Sequence, residues 1–173
     1  MRVLGSLLVV ASTFAATTAR ADDAKRAPQV EAIRSLIGNW TGKGSVTSEG
    51  KSHAVRVTYD CAESTAAAGI KCKFGMTGLP GFTYEFDDLW GYSAQDNLTH
   101  WYTVTNAGEV HDHRGHLDMN GGFLQYETAT EGKVFTESIT FKRTAKSMTL
   151  SWTANHGGMV REKGEVTLSM KAK

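Results

Sequence analysis

The stretch Met148-Thr149-Leu150-Ser151-Trp152-Thr153-Ala154 places an apolar side chain at every second position and a hydroxyl at each position between. That is the period of a β-strand with one buried and one wet face. The pattern continues outward: Tyr84, Phe86, Trp90 and Tyr92 share one parity, and alternation runs from near residue 39 to the last lysine. Short turns punctuate it, among them Ser48-Glu49-Gly50, Asn106-Ala107-Gly108, Met119-Asn120-Gly121, Glu131-Gly132 and His156-Gly157-Gly158. The predicted strands are at about 39–48, 53–61, 69–76, 82–92, 98–105, 109–118, 122–129, 133–143, 146–155 and 158–170. No gap is long enough for a crossover helix, which excludes a parallel βαβ sheet. The predicted fold is all-β, a closed antiparallel up-and-down barrel of about ten strands with a short N-terminal helix. In that helix Pro28 suits the first turn, and Val30, Ile33 and Ile37 form one stripe ending at Gly38. It is positioned to plug one mouth of the barrel.

The residues before the helix read as a targeting segment. Arg2 is followed by an apolar run, Val3 to Phe14, and then by Ala19-Arg20-Ala21. This is the form of a cleaved export signal, too short and too rich in Ser and Thr to span a bilayer. The expected division is a signal peptide at 1–21 and one domain at 22–173, in a secreted or periplasmic protein with no membrane span once processed. The formal net charge is +1, and loss of Arg2 and Arg20 takes it to about −1. Without Lys/Arg runs, nothing asks for nucleic acid or a polybasic membrane contact. Cys61 continues the parity of Val55, Val57 and Tyr59, and Cys72 that of Ile70, Phe74 and Met76. A cross-strand disulfide between them fits an oxidising compartment and stabilises by roughly 2–3 kcal/mol in the chain-entropy model.

The segment Leu36-Ile37-Gly38-Asn39-Trp40-Thr41-Gly42-Lys43-Gly44 resembles the helix-to-strand opening of lipocalin-like (calycin) barrels, L-x-G-x-W-x-G-x-G. In that opening the Trp closes the barrel floor, and the glycines permit bending or close backbone approach. Leu89-Trp90-Gly91-Tyr92, with Gly115 and Asp118 after the next hairpin, resembles the small lipocalin-like domains of exported bacterial proteins. The resemblance implies a barrel and a cavity, and no catalytic residues. Nitrobindin-type barrels hold haem through a His near the C-terminal end, a role that would fall to His156, although the residues around it do not match.

Two groups of residues carry possible chemistry. His111 and His113 project to one face of a strand, as two metal ligands must. The Asn106-Ala107-Gly108 turn sets His111 opposite Thr103 and His113 opposite Trp101. His100, Tyr102, Asp112, Arg114 and His116 then gather on the other face, where a polar hairpin with internally paired charges is the alternative to a metal site. No third ligand on the face of His111 and His113 is assured. Separately, Glu137 lies between Phe135 and Ile139-x-Phe141 on the inward parity, and Glu162 shares the parity of Val160 and Val166. A carboxylate facing a barrel interior must be paired, hydrated or protonated. His53, on the parity of Val55, reads as a structural histidine or a mouth residue. No G-x-S-x-G, HExxH, P-loop or dinucleotide fingerprint is present.

The leading reading is an exported binding protein for a small apolar or amphipathic molecule. The candidate lining is Trp40, Tyr84, Phe86, Trp90, Phe135, Phe141 and Trp152, with Glu137 as polar anchor. The alternatives are a structural or interaction barrel filled by its own side chains, and a His-rich metal-dependent enzyme.

Overall fold

The computed structural model describes residues 27–65, 69–130 and 132–171, so the expected export signal lies outside the described residues. One helix, α1 (Pro28–Arg34), precedes ten strands. These are β1 (Gly38–Ser48), β2 (Lys51–Glu63), β3 (Gly69–Leu79), β4 (Phe82–Ser93), β5 (Leu98–Thr105), β6 (Val110–Asp118), β7 (Gly121–Thr130), β8 (Lys133–Arg143), β9 (Ser147–His156) and β10 (Met159–Met170). Each strand pairs antiparallel with its neighbours in sequence, and β1 closes on β10 to complete the barrel. All-β, closed and up-and-down, the architecture follows from the alternation, since an antiparallel sheet with one apolar face leaves no exposed edge once it is closed. Cys61 and Cys72 stand opposite each other in the β2–β3 ladder and are joined as a disulfide.

Closure needs β1 and β10 to approach tightly. A Cβ on Gly42 or Gly44 would lie 1.9 Å from the carbonyl oxygen of Thr167 or Glu165 respectively, so only glycine fits at either position.

The helix is shorter than its apolar stripe predicts. Ser35 N–H still reaches the Glu31 carbonyl, but Leu36 and Ile37 bond three residues back, to Ile33 and Arg34. This tightened turn delivers Trp40, whose indole N–H donates to the Leu36 carbonyl at 2.8 Å. The Arg143 guanidinium, from the far end of β8, donates to the Ser35 carbonyl at 3.0 Å and to the Ser35 hydroxyl. A cation on the last carbonyls of a helix is favourable, and here it ties the plug to the barrel wall.

The barrel therefore has two unlike halves. At the helix end Ile33, Leu36, Trp40, Tyr59, Ile70, Leu117, Leu124, Met148 and Leu168 are all buried. Above this floor Trp90 and Trp101 stack at 4.8 Å, and Phe141 meets both edge-on. At the opposite end the inward-facing Tyr84, Phe86, Tyr126, Phe135 and Trp152 remain only partly covered. No helix among the described residues is long and apolar enough to cross a membrane.

Candidate functional site

Strand β6 carries His111 and His113 on its inward face, opposite Thr103 and Trp101 as the turn register predicts. Strand β8 carries Glu137 inward, and β7 lies between them with Tyr126 opposite Glu137. The Glu137 side chain reaches across β7, and one oxygen, Oε2, meets both imidazoles: 3.2 Å to His111 Nδ1 and 2.9 Å to His113 Nε2. The third same-face group that the histidine pair lacks in the sequence is thus the carboxylate singled out separately by parity. Their meeting depends on register across three strands.

Aromatic walls fix both rings. His113 stacks on Trp101 at 4.9 Å, so Trp90, Trp101 and His113 form one column rising from the packed half. His111 stacks on Tyr126 at 4.5 Å and 12°. His113 is buried, with 3% of its side chain exposed, whereas Glu137 keeps 17% exposed toward the mouth. His113 Nδ1 has no hydrogen-bond partner among the described residues. Glu109, in the turn just before β6, lies 3.9 Å from His111 Nε2 and accepts the Tyr84 hydroxyl at 3.4 Å.

Burial pushes the Glu137 pKa up, but hydrogen bonds from and proximity to His111 and His113 outweigh it and hold the carboxyl at about 2. It is ionised across the physiological range and too weak a base to accept protons near neutrality. Chemically, an ionised carboxylate in this position can accept from a hydrogen-bond donor or pair with a cation. A second carboxylate, Glu162, is pushed upward chiefly by burial and accepts the Trp152 indole N–H at 2.7 Å. The Trp152 ring lies over Gly164, where a Cβ would come within 2.2 Å of it, so this glycine lets the ring lie flat against the wall. Tyr84 is raised well above its ordinary value by burial and by the negative charge of Glu109 and Glu137.

The structure divides the predicted lining. Tyr84, Phe86, Phe135 and Trp152 stand with Glu137 in the open half, partly covered. Trp40, Trp90 and Phe141 belong to the packed half, each 2% exposed or less. His156 ends β9 at the rim, opposite Phe135 and Met159 in the ladders. On the outer face His100 sits between Asp112 and Asp96, at 3.1 and 2.9 Å, and the Arg114 guanidinium donates to Asp112 at 2.6 Å. This is the internally paired polar hairpin.

One inward carboxylate escaped the sequence reading. Asp88 accepts the Tyr59 hydroxyl and the Thr103 hydroxyl, each at 2.9 Å, while Tyr59 accepts the Trp90 indole N–H at 2.7 Å. Burial raises its pKa to about 7 despite these donors. The signal was available, because Asp88 shares the parity of Phe86 and Trp90 as Glu137 shares that of Phe135. Tyr126, which forms one wall of the site, was likewise marked only by its parity with Leu124.

No protein-family model matches the sequence, and no curated protein matches it. Among solved structures, the chain is similar to the S-type phycobiliprotein lyase CPES from Guillardia theta, with a TM-score of 0.56 and 10% identity over 88% of this chain and 97% of that one. At that identity the likeness speaks for the fold, which is a lipocalin-like barrel.

Proposed function

We propose that this chain is an exported binding protein that holds a small amphipathic molecule in the open half of its barrel. The observation that carries the reading is the contrast along the barrel axis. One half is sealed by a helix and stacked indoles, while the other presents half-covered rings around an ionised carboxylate. Tyr84, Phe86, Phe135 and Trp152 offer the apolar surface, and Glu137 with its two imidazoles offers the polar contact at depth. The carboxylates Glu109, Glu137 and Glu162 favour a guest that brings N–H or O–H donors. Burying about 300 Å² of its apolar surface contributes on the order of 7 kcal/mol, and the polar contacts to the carboxylates help to offset the costs of association. The Cys61–Cys72 disulfide supports the reading of residues 1–21 as an export signal.

The probe N-phenyl-1-naphthylamine, a phenyl and a naphthyl group joined by one N–H, tests this by its fluorescence rise on entering an apolar site. One saturable site is expected, weakened about tenfold by Phe135→Ala, which corresponds to the loss of an aromatic contact of roughly 1.4 kcal/mol. No saturable binding, or binding that Phe135→Ala leaves unchanged, refutes the proposal.

A further inference from the structure

The geometry points to a divalent transition-metal site formed by His111 Nδ1, His113 Nε2 and a Glu137 carboxylate oxygen, with its open coordination side toward the barrel mouth. The three ligand atoms lie within 4.8 Å of one another. In a tetrahedral zinc site with bonds of about 2.0–2.1 Å, ligand atoms stand about 3.4 Å apart. The separations of 3.2 and 2.9 Å from the carboxylate oxygen to the two imidazoles need to open by only a few tenths of an ångström, and the two imidazole nitrogens lie within 4.8 Å of each other. Two imidazoles and one carboxylate form a donor set for zinc or ferrous iron, and unsuited to calcium or magnesium, which take oxygen ligands.

Three features separate this cluster from a chance gathering of polar groups. The ligands come from two strands of a closed barrel, so the backbone holds their spacing. Both rings are clamped by stacking, His111 on Tyr126 and His113 on Trp101, with the relevant nitrogens already aimed at Glu137. Glu109 stands 3.9 Å from His111 Nε2, on the far side of the ring from the ligand atom. Metal-bound histidines commonly donate that far N–H to a carboxylate, which fixes the tautomer.

Binding needs no net loss of protons from neutral rings. The N–H that faces Glu137 in the free protein moves, by exchange with solvent, to the opposite nitrogen of the same ring. For His111 that proton then faces Glu109. For His113 it lies on Nδ1, the buried atom without a partner among the described residues.

The three protein ligands stand without any organic guest. The inference rests on the proposed binding function only in what fills the open position, where a donor atom of the guest would complete the coordination.

The test uses the full processed protein, stripped with a chelator and titrated calorimetrically with Zn²⁺ alone, with Co²⁺ absorption as a second reading. The expected result is one Zn²⁺ per chain and cobalt ligand-field bands of a four-coordinate site. Glu137→Gln and His111→Ala should each weaken zinc at least tenfold, while a His100→Ala/His116→Ala double variant leaves affinity unchanged. Thermal melts of the variants confirm folding, and the wild-type cobalt spectrum reads the site without any variant. Absence of a one-to-one site, equal affinity in Glu137→Gln and His111→Ala, or loss in the outer-face double variant overturns the inference. Naphthylamine binding without metal binding removes the metal site and leaves the binding function standing. Zinc binding without naphthylamine binding does the reverse.

Discussion

Asp88 and Glu137 both point into the barrel, and their surroundings drive them in opposite directions. Asp88 sits among Tyr59, Thr103 and the stacked tryptophans, where burial lifts its carboxyl to about 7. Glu137 is also penalised by burial, yet two imidazoles on β6 bring it down to about 2. The same residue chemistry on the same face thus marks two different kinds of interior. The packed half tolerates a carboxylate by letting it take up a proton. The open half retains the charge and holds partners for it, which is what a polar binding site requires.

The sharpest way to separate the halves is by truncation. Trp101→Ala removes the ring that joins Trp90 and His113, and denaturant titration should show a loss of about 3–5 kcal/mol. A loss below about 1 kcal/mol would mean that the column does not hold the packed half together.

The pH dependence of stability comes next. Because the folded value of Asp88 lies above its unfolded value of 3.8, its contribution is intact below about pH 4 and is lost as pH rises through about 7. The size of that loss is roughly 4 kcal/mol by linkage. Asp88→Asn should flatten this part of the profile and make the protein more stable than wild type at pH 8. A profile unchanged by the substitution would show that Asp88 titrates normally.

Glu137 works with the opposite sign. Its folded value lies below the unfolded 4.5, so its contribution is present above that pH and is lost as pH falls through about 2. Glu137→Gln should lower stability at pH 7 by roughly 2–3 kcal/mol and remove the acid-side slope. If the acid-side slope persists in Glu137→Gln and neutral stability is unaffected, the imidazoles do not hold this carboxylate.

The smallest effect belongs to the mouth. Phe135→Ala should lower stability by only about 1 kcal/mol, because the ring is half-covered and leaves no sealed cavity, while it weakens probe binding about tenfold. Stability loss as large as that of Trp101→Ala would erase the distinction between the two halves.

How far this was legible in the sequence follows from the same pairs of residues. Period-two alternation determined the ten strands, and the Asn106-Ala107-Gly108 turn placed His111 and His113 opposite Thr103 and Trp101, because both are local properties. Cys61 and Cys72 were matched by parity across a single hairpin. The approach of Glu137 to the histidines was not legible, since it depends on how far a side chain extends across the intervening β7. Nor did parity distinguish Trp40 and Trp90 from Trp152. All three face inward, and only height along the barrel axis, set by the stagger of closure, decides which ring is sealed and which is open.

The chain's four tryptophans turn that height into one measurement. Their indole N–H signals in a nitrogen–proton correlation spectrum report separately on the floor (Trp40), the buried column (Trp90 and Trp101) and the mouth (Trp152). On titration with N-phenyl-1-naphthylamine, the Trp152 signal should move and saturate as its contact with Glu162 is perturbed, while Trp40 and Trp90 stay in place. Movement of Trp40 and Trp90 equal to that of Trp152, or no movement of any indole, would contradict a binding site in the open half of the barrel.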